Sequence, residues 1–289
     1  MNLDIVSACK ATVVAAGLAG AQPAFAEDPA QRIVSVGGAV TEIVYALGQQ
    51  HRLVARDATS DYPAEAAALP DVGYMRRLSP EGLLSVGPDL VMAIEGAGPP
   101  DTVEVLAGAD IPFVTIPEGY SRQAVGEKIR AVGAALDEDA AAAELAVRVD
   151  AEIAAAVAAA AANPARKRVL FVLTSQGGRI MAGGTGTAAD GIIAMAGATN
   201  AVTDFEGYKP LSDEAVIRAA PDVILMMQSE AAPTGTDDEL FAHPAIGATP
   251  AGRSRNLVRI DGMHLLGFGP RTAGAVTALA EALREAGGS

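Results

Sequence analysis

The feature that most constrains the fold of this chain is an internal repeat. The stretch LSPEGLLSVGPDLVM (Leu78–Met92) matches LSDEAVIRAAPDVIL (Leu211–Leu225) in register: Leu, Ser, Glu, Pro and Asp coincide, and apolar positions match around them. The copies lie 133 residues apart in a chain of 289 residues. The repeat therefore predicts two similar halves, each carrying one copy.

Both halves alternate short apolar runs with segments of helical spacing. RIVSV (Arg32–Val36) in the first half corresponds to KRVLFVL (Lys167–Leu173) in the second, and each precedes an amphipathic segment. Further strand candidates in the first half are HRLVARD, PDLVMAIE and IPFVTIP. Strands that alternate with helices predict mostly parallel sheets, so we expect an α/β fold.

An alanine-rich segment joins the halves. Alanine is the best helix former, and Asp137–Ala162 would span about 39 Å at 1.5 Å per residue. Leu145, Val149 and Ile153 fall on one helical face, and Pro164 ends the run, so a helix is favoured over low-complexity disorder. We predict two Rossmann-like lobes with mostly parallel central sheets, joined by one long α-helix, with a ligand cleft between the lobes.

The N-terminus predicts export. An apolar run, Ala11–Ala26, follows Lys10 and ends in the A-x-A pattern of a signal peptidase site, and it is too short to span a bilayer. Cys9 is the only cysteine and would leave with the signal, so thiol chemistry is excluded from the mature protein. We expect a periplasmic protein with this division of the chain: signal peptide 1–26, N-terminal lobe 27–120, linking helix region 121–164, C-terminal lobe 165–289.

The charge balance limits the ligands. A formal net charge of −14 argues against non-specific binding to nucleic acid or anionic membranes, so an anionic ligand would need a local cationic cluster. Such a cluster occurs in VGYMRRLSPE, where Tyr74, Arg76 and Arg77 precede a helix start. A phenolate oxygen suits ferric iron, and Tyr is a known axial haem ligand.

The side chains of that cluster can be placed by alternation if the segment is extended. Residues i and i+2 then share a face, so Tyr74 and Arg76 would point the same way and Arg77 away, unless the loop turns. Arginine suits carboxylates because its fork is bidentate and always charged. The alternative is that Tyr74 is a rim aromatic and both arginines are solvated.

Two segments, Gly73–Ser85 and Leu266–Thr272, together with the whole layout, resemble the periplasmic haem-binding proteins of ABC importers. These belong to the substrate-binding proteins with a single linking helix, a group that also carries siderophores and cobalamin. The resemblance implies haem as the transported ligand and Tyr74 as its axial ligand and iron-binding residue. It also implies Arg76 and Arg77 as partners of the phenolate or a haem propionate. The implied protein partners are an ABC permease and its ATPase in the inner membrane.

Two glutamates occupy matching places in the repeat. Ser79 with Pro80 reads as an N-cap with proline in the first helical position, and Ser212 is the corresponding cap. Glu81 and Glu214 would each lie in a first helical turn, where the helix dipole favours an anion. That placement alone explains them; the resemblance implies that they also dock the protein on arginines of the permease.

One position departs from the family pattern. Some haem-binding relatives have a histidine in the strand-to-loop segment of the second lobe, where this chain has Gln176, a candidate for the distal-lobe pocket. That departure argues against a histidine as second ligand and against a second bound haem. His51, His243 and His264 are scattered, which disfavours a zinc or manganese carrier.

Other classes of function find little support. The chain has no G-x-S-x-G or HExxH motif, and GGTGTAAD (Gly183–Asp190) lacks the ending of a P-loop, so we expect no enzyme. Within the fold, the alternative is a ferric-siderophore or cobalamin carrier. Outside it, the alternative is a periplasmic sensor or structural protein with a degenerate cleft. We expect a monomer.

Overall fold

The computed structural model describes residues 29–162, 166–228 and 236–286, so the predicted signal peptide and Cys9 lie outside the described residues. The described strands are β1 Ile33–Val36, β2 Leu53–Arg56, β3 Leu90–Ile94, β4 Phe113–Ile116, β5 Arg168–Thr174, β6 Ile180–Gly183, β7 Thr199–Asn200, β8 Tyr208–Leu211, β9 Val223–Gln228 and β10 Leu257–Asp261. The described α-helices are α1 Gly38–Ala46, α2 Pro80–Ser85, α3 Pro100–Gly108, α4 Arg122–Ala135, α5 Asp139–Ala161, α6 Ala188–Met195, α7 Asp213–Ala219, α8 Asp237–Ala242, α9 Pro244–Gly247, α10 Pro250–Ser254, α11 Gly262–Leu266 and α12 Thr272–Glu285.

Each half of the chain builds one sheet. The first sheet has the order β2-β1-β3-β4, and all its pairs are parallel. The second has the order β10-β9-β5-β6-β8, with β7 pairing β5; β10, β9, β5 and β7 pair in parallel, while β6 and β8 join antiparallel. The α/β fold class is confirmed, and the second sheet is mixed.

The internal repeat has a structural reason. Asp89 accepts a hydrogen bond from the backbone N–H of Arg32 at 2.9 Å, and Asp222 accepts one from that of Arg168 at 2.8 Å. The Arg32 guanidinium donates to the carbonyl of Gly87, just after α2, at 2.7 Å. The Arg168 guanidinium donates to the carbonyl of Ala219, the last residue of α7, also at 2.7 Å. In both lobes an Arg–Asp set thus ties the repeat helix to the central strand.

Two helices, α4 and α5, form the region between the lobes. They pack against each other, and the chain between them turns at Asp137, whose φ is 61°. The long helix therefore begins at Asp139, two residues later than predicted, because Asp137 adopts the left-handed conformation.

The amphipathic face predicted for the long helix is confirmed. Leu145, Val149 and Ile153 are at most 3% exposed, and α5 packs against α4 and against α12 of the second half. The disorder alternative is wrong for this segment, because these side chains are anchored in a core.

The largest apolar core runs through the linking region into both lobes. It includes Ile33 of β1, Ile129 of α4, Ile153 of α5 and Phe171 of β5. In the described ranges no helix is long and apolar enough to cross a bilayer. A continuous core between lobes favours small relative motions, since separating them would expose apolar surface.

Candidate functional site

The loop between β2 and α2 carries the tyrosine singled out in the sequence. It first runs alongside the end of β2: the N–H of Val72 donates to the carbonyl of Arg56 at 3.0 Å, and the N–H of Ala58 donates to that of Gly73 at 2.8 Å. Tyr74 follows where this pairing ends. The strand edge therefore holds the backbone up to the residue before the tyrosine.

A carboxylate fixes the last step of that loop. Asp71 accepts a hydrogen bond from the Arg56 guanidinium at 2.9 Å through one oxygen and from the Gly73 N–H at 2.7 Å through the other. The Arg56 side chain is only 13% exposed, so the bond is partly shielded from water. Gly73 has a φ of 100°, which a residue with a Cβ rarely adopts. Asp71 and Gly73 together set the direction in which Tyr74 leaves the sheet.

The segment around Tyr74 is a turn, so the extended arrangement considered from the sequence is wrong. The N–H of Arg77 donates to the carbonyl of Tyr74 at 2.7 Å, which brings residues i and i+3 together. The Arg77 guanidinium lies 5.9 Å from the centroid of the Tyr74 ring, within cation–π range. Arg77, not Arg76, is therefore the cationic neighbour of the tyrosine, whose side chain is 40% exposed.

Arg76 faces a different set of groups. Burial raises the pKa of Tyr120, which precedes α4, and that of Tyr208, which lies on β8 of the second lobe, and the positive charge of Arg76 is a smaller influence that acts to lower both. The Arg76 side chain is exposed and its charge reaches β8, so it lies on the side of the first lobe that faces the second. Tyr74 and Arg77 belong to the same turn as Arg76, so the three side chains start from one short segment of the first lobe.

Tyr120 and Tyr208 form an aromatic wall that sequence reasoning missed. The pKa of Tyr208 is raised by burial, although hydrogen bonds with the Ala189 backbone and the Thr187 side chain at the start of α6 act to lower it. The pKa of Tyr120 is raised first by burial and then by the Glu118 carboxylate, so both rings remain neutral phenols. Their rings meet Phe268 and Phe171 edge-on, at 5.3 and 6.2 Å. The only feature of the sequence that points to these two residues is the scarcity of tyrosine, since the chain has five in total.

A largely buried ion pair joins the two lobes. The Arg271 guanidinium donates to both carboxylate oxygens of Glu42 on α1, at 3.0 and 2.5 Å, and lies 3.7 Å from the centroid of the Tyr62 ring. Burial raises the pKa of Glu42 even though Arg271 acts to lower it. Nothing near Glu42 in the sequence predicted this partner, 229 residues away.

A second cation holds the same junction. Lys128 of α4 is fully buried and donates to the Glu118 carboxylate at 2.7 Å and to the Phe268 carbonyl at 3.3 Å. Phe268 and Arg271 both belong to Leu266–Thr272, one of the two segments on which the family resemblance depended. In the structure that segment makes contacts between the lobes.

The paired glutamates lie where the repeat predicted them. Ser79 and Ser212 cap α2 and α7 by accepting the N–H three residues on, at 3.0 and 3.3 Å, so both predicted caps are confirmed. Glu81 and Glu214 are exposed in the first turns of these helices. The pKa of Glu214 is lowered by its own backbone N–H and then by the Ser212 hydroxyl, so it stays ionised at neutral pH.

The other sequence candidates are less informative. Gln176 begins a 3₁₀ turn that starts one residue after the end of β5, and its side chain lies outside the described part of the structure. His243 bonds the Gly178 carbonyl at 3.0 Å, and burial lowers the pKa of His264. Among the described residues no three His, Cys, Asp or Glu side chains form a group that could hold a metal ion. Tyr74 is the predicted iron ligand that the geometry leaves accessible.

Comparisons with known proteins agree with this architecture. The family model described as "Periplasmic binding protein" matches residues 33–263. The solved structure of the periplasmic heme-binding protein BhuT with two hemes is 44% identical, covering 88% of this chain and 98% of that chain, with a TM-score of 0.84. The heme-binding protein RhuT from Roseiflexus sp. RS-1, solved in apo form, is 41% identical over 89% and 98% of the two chains, with a TM-score of 0.84.

Curated relatives match a shorter stretch. The vitamin B12-binding protein of Pectobacterium carotovorum subsp. carotovorum is 38% identical over 84 residues, which is 29% of this chain and 30% of that protein. The family model, by contrast, covers most of both lobes and the linking helices. The chain therefore belongs to the periplasmic binding protein family.

Proposed function

We propose that this protein binds ferric haem in the periplasm through the Tyr74 phenolate and delivers it to an ABC importer. The observation that carries the proposal is the setting of Tyr74: an accessible phenol on a turn that places the Arg77 guanidinium 5.9 Å from the centroid of its ring. Ferric iron and a nearby cation both favour the phenolate form of a tyrosine.

The two arginines would balance two different negative charges of the bound state, one on the phenolate and one on the haem. Arg77 is the neighbour of the Tyr74 ring, so it compensates the negative charge that forms when iron replaces the phenol proton. Arg76, whose charge reaches Tyr208, would pair with a haem propionate, for which its bidentate fork is suited. The aromatic wall of Tyr120 and Tyr208 offers apolar surface to a porphyrin.

The comparisons support haem ahead of the alternatives. Both solved structures described above are of heme-binding proteins and align over nearly their whole length. The vitamin B12-binding relatives align over less than a third of theirs, which leaves cobalamin as the weaker candidate. A siderophore carrier would need no tyrosine ligand to iron.

Delivery uses the exposed glutamates. Glu81 and Glu214 lie at matching positions in the two lobes and would meet arginines on the permease, whose ATPase drives release. The continuous core and the Glu42–Arg271 pair favour modest lobe closure around the ligand. We also propose that residues 1–26 serve as the export signal and that the protein is a monomer.

The test is a hemin titration of the mature protein followed by visible spectroscopy. We expect stoichiometric binding with a high-spin ferric, phenolate-type spectrum that is lost in Tyr74→Phe. Tyr62→Phe is the matched control, because Tyr62 is also an exposed tyrosine, 46% accessible, and keeps its ring over Arg271. An unchanged spectrum in Tyr74→Phe would refute the ligand assignment. Binding of cyanocobalamin or a ferric siderophore but not hemin would refute the function.

A further inference from the structure

We propose that Leu84 and Ile217 form the apolar half of two matched docking sites for the permease, each beside one of the exposed glutamates. The inference rests on the proposed docking role of Glu81 and Glu214 and goes beyond it. It names two further contact residues and the chemistry that the partner must present to them.

The two aliphatic side chains occupy equivalent positions. Leu84 aligns with Ile217 in the internal repeat, and they are 38% and 47% exposed. Each follows its glutamate by three residues on a short helix, so acid and aliphatic group share one face. The residues just before them, Leu83 and Val216, are both fully buried, which shows that α2 and α7 present the same face to solvent.

Single exposed apolar residues are common and by themselves indicate nothing. Among the described residues, the large hydrophobic side chains that are well exposed to solvent are three tyrosines and four aliphatic residues. The aliphatic ones are Leu84, Val105, Val147 and Ile217. Two of the four fall at the same place in the two copies of the repeat, beside the paired acids. Because α2 and α7 present the same face to solvent, exposure at both positions is expected; what the two copies share beyond that is an aliphatic side chain beside the acid.

The pairing defines the partner's chemistry. Glutamate and aliphatic group on one helical face lie about 5–6 Å apart at Cβ, which is within the length of an arginine side chain. An arginine could lay its methylene stem over Leu84 or Ile217 while its guanidinium meets the carboxylate. A shorter cation or a bare charge would leave the aliphatic group in water. The occupant we infer is therefore an arginine of the membrane permease at each lobe.

The experiment measures binding of the haem-loaded protein to the purified permease–ATPase complex in nanodiscs by biolayer interferometry. The variants are Leu84→Gln and Ile217→Gln, which keep a good helix former. The matched control is Val147→Gln on α5, where the side chain is 66% exposed far along the chain from either acid. Burying the part of each side chain that is now exposed predicts a loss of affinity of about threefold to tenfold for each variant. The hemin spectrum and melting temperature should not change, and the loss should persist in high salt.

The outcomes separate this inference from the docking proposal. If Glu81→Lys and Glu214→Lys weaken binding but Leu84→Gln and Ile217→Gln match Val147→Gln, only the apolar contact is overturned. If the lysine variants bind like the wild type, the face is not the docking face and both ideas fail. If the glutamine variants instead abolish self-association seen by analytical ultracentrifugation, a second copy occupies this face, which also overturns the inference.

Discussion

Replacing Arg271 by alanine tests whether the buried ion pair holds the lobes together. The substitution would leave the Glu42 carboxylate, whose side chain is 6% exposed, without its bidentate partner. Removing one member of a buried pair typically costs 3–5 kcal/mol, because the remaining charge is stranded out of water. The Arg271 side chain is itself 25% exposed, so we take the lower end, about 3 kcal/mol at pH 8.

For a chain of this size, the loss in free energy of unfolding can be expressed as a change in melting temperature. For domains of a few hundred residues, 1 kcal/mol lowers the melting temperature by about 2–4 °C, so Arg271→Ala should melt about 6–12 °C lower. Urea unfolding of the hemin-free protein, followed by circular dichroism, gives the free energy directly.

The loss should depend on pH in a definite direction. Burial already raises the pKa of Glu42 above its ordinary 4.5, and without Arg271 only raising influences remain, including the carboxylates of Asp61 and Asp261. A carboxyl whose folded pKa is raised contributes stability below its unfolded pKa and loses it as the pH rises through the folded pKa. Arg271→Ala should therefore lose less stability at pH 5 than at pH 8.

The control is Glu42→Gln in the Arg271→Ala background, which removes the titrating group while keeping its shape. The double variant should show a smaller difference between pH 5 and pH 8 than Arg271→Ala, since Asp61 and Asp261 remain in both. A loss below about 1 kcal/mol at pH 8, or an equal loss at both pH values, would show that the reasoning about the pair is wrong.

Three other perturbations follow from the structure. Asp71→Ala should release hemin about tenfold faster in stopped-flow measurements and weaken the phenolate spectrum, because the charge-assisted hydrogen bond that orients the loop before Tyr74 is lost. Asp71→Asn keeps a hydrogen-bond acceptor and should partly restore both the release rate and the spectrum. Ala220→Gly should stabilise the protein by about 0.5–1 kcal/mol in urea unfolding, because Ala220 has a φ of 41° where the other repeat copy has Gly87. Glu81→Lys combined with Glu214→Lys should leave the hemin titration intact and abolish haem uptake by cells.

Each of these has a result that would contradict it. An Asp71→Ala protein with wild-type release kinetics and spectrum would show that Tyr74 needs no such support. The matched exchange Gly87→Ala should destabilise, so equal stability of both variants would remove the conformational argument. Normal uptake by the double lysine variant would exclude the proposed docking role.

The local elements could be read from the sequence because their causes are local. The capping serines, Ser79 and Ser212, act on N–H groups three residues away, and the buried stripe of α5 follows from spacing along one helix. The repeat predicted two lobes, since matching residues build matching helix–strand units. The place of Tyr74 in a loop just before a helix was predicted for the same reason, because Ser79 and Pro80 mark the helix start locally.

The rest was decided by tertiary structure. The turn that brings Arg77 close to the Tyr74 ring is held by hydrogen bonds from the neighbouring loop, including one from the N–H of Gly98 to the carbonyl of Met75 at 2.9 Å. The partnership of Glu42 with Arg271 joins residues from opposite ends of the chain. Sequence determines which side chains are available and what chemistry they can do. Which of them meet across a cleft depends on how two lobes pack on one shared core, and no local pattern records that packing.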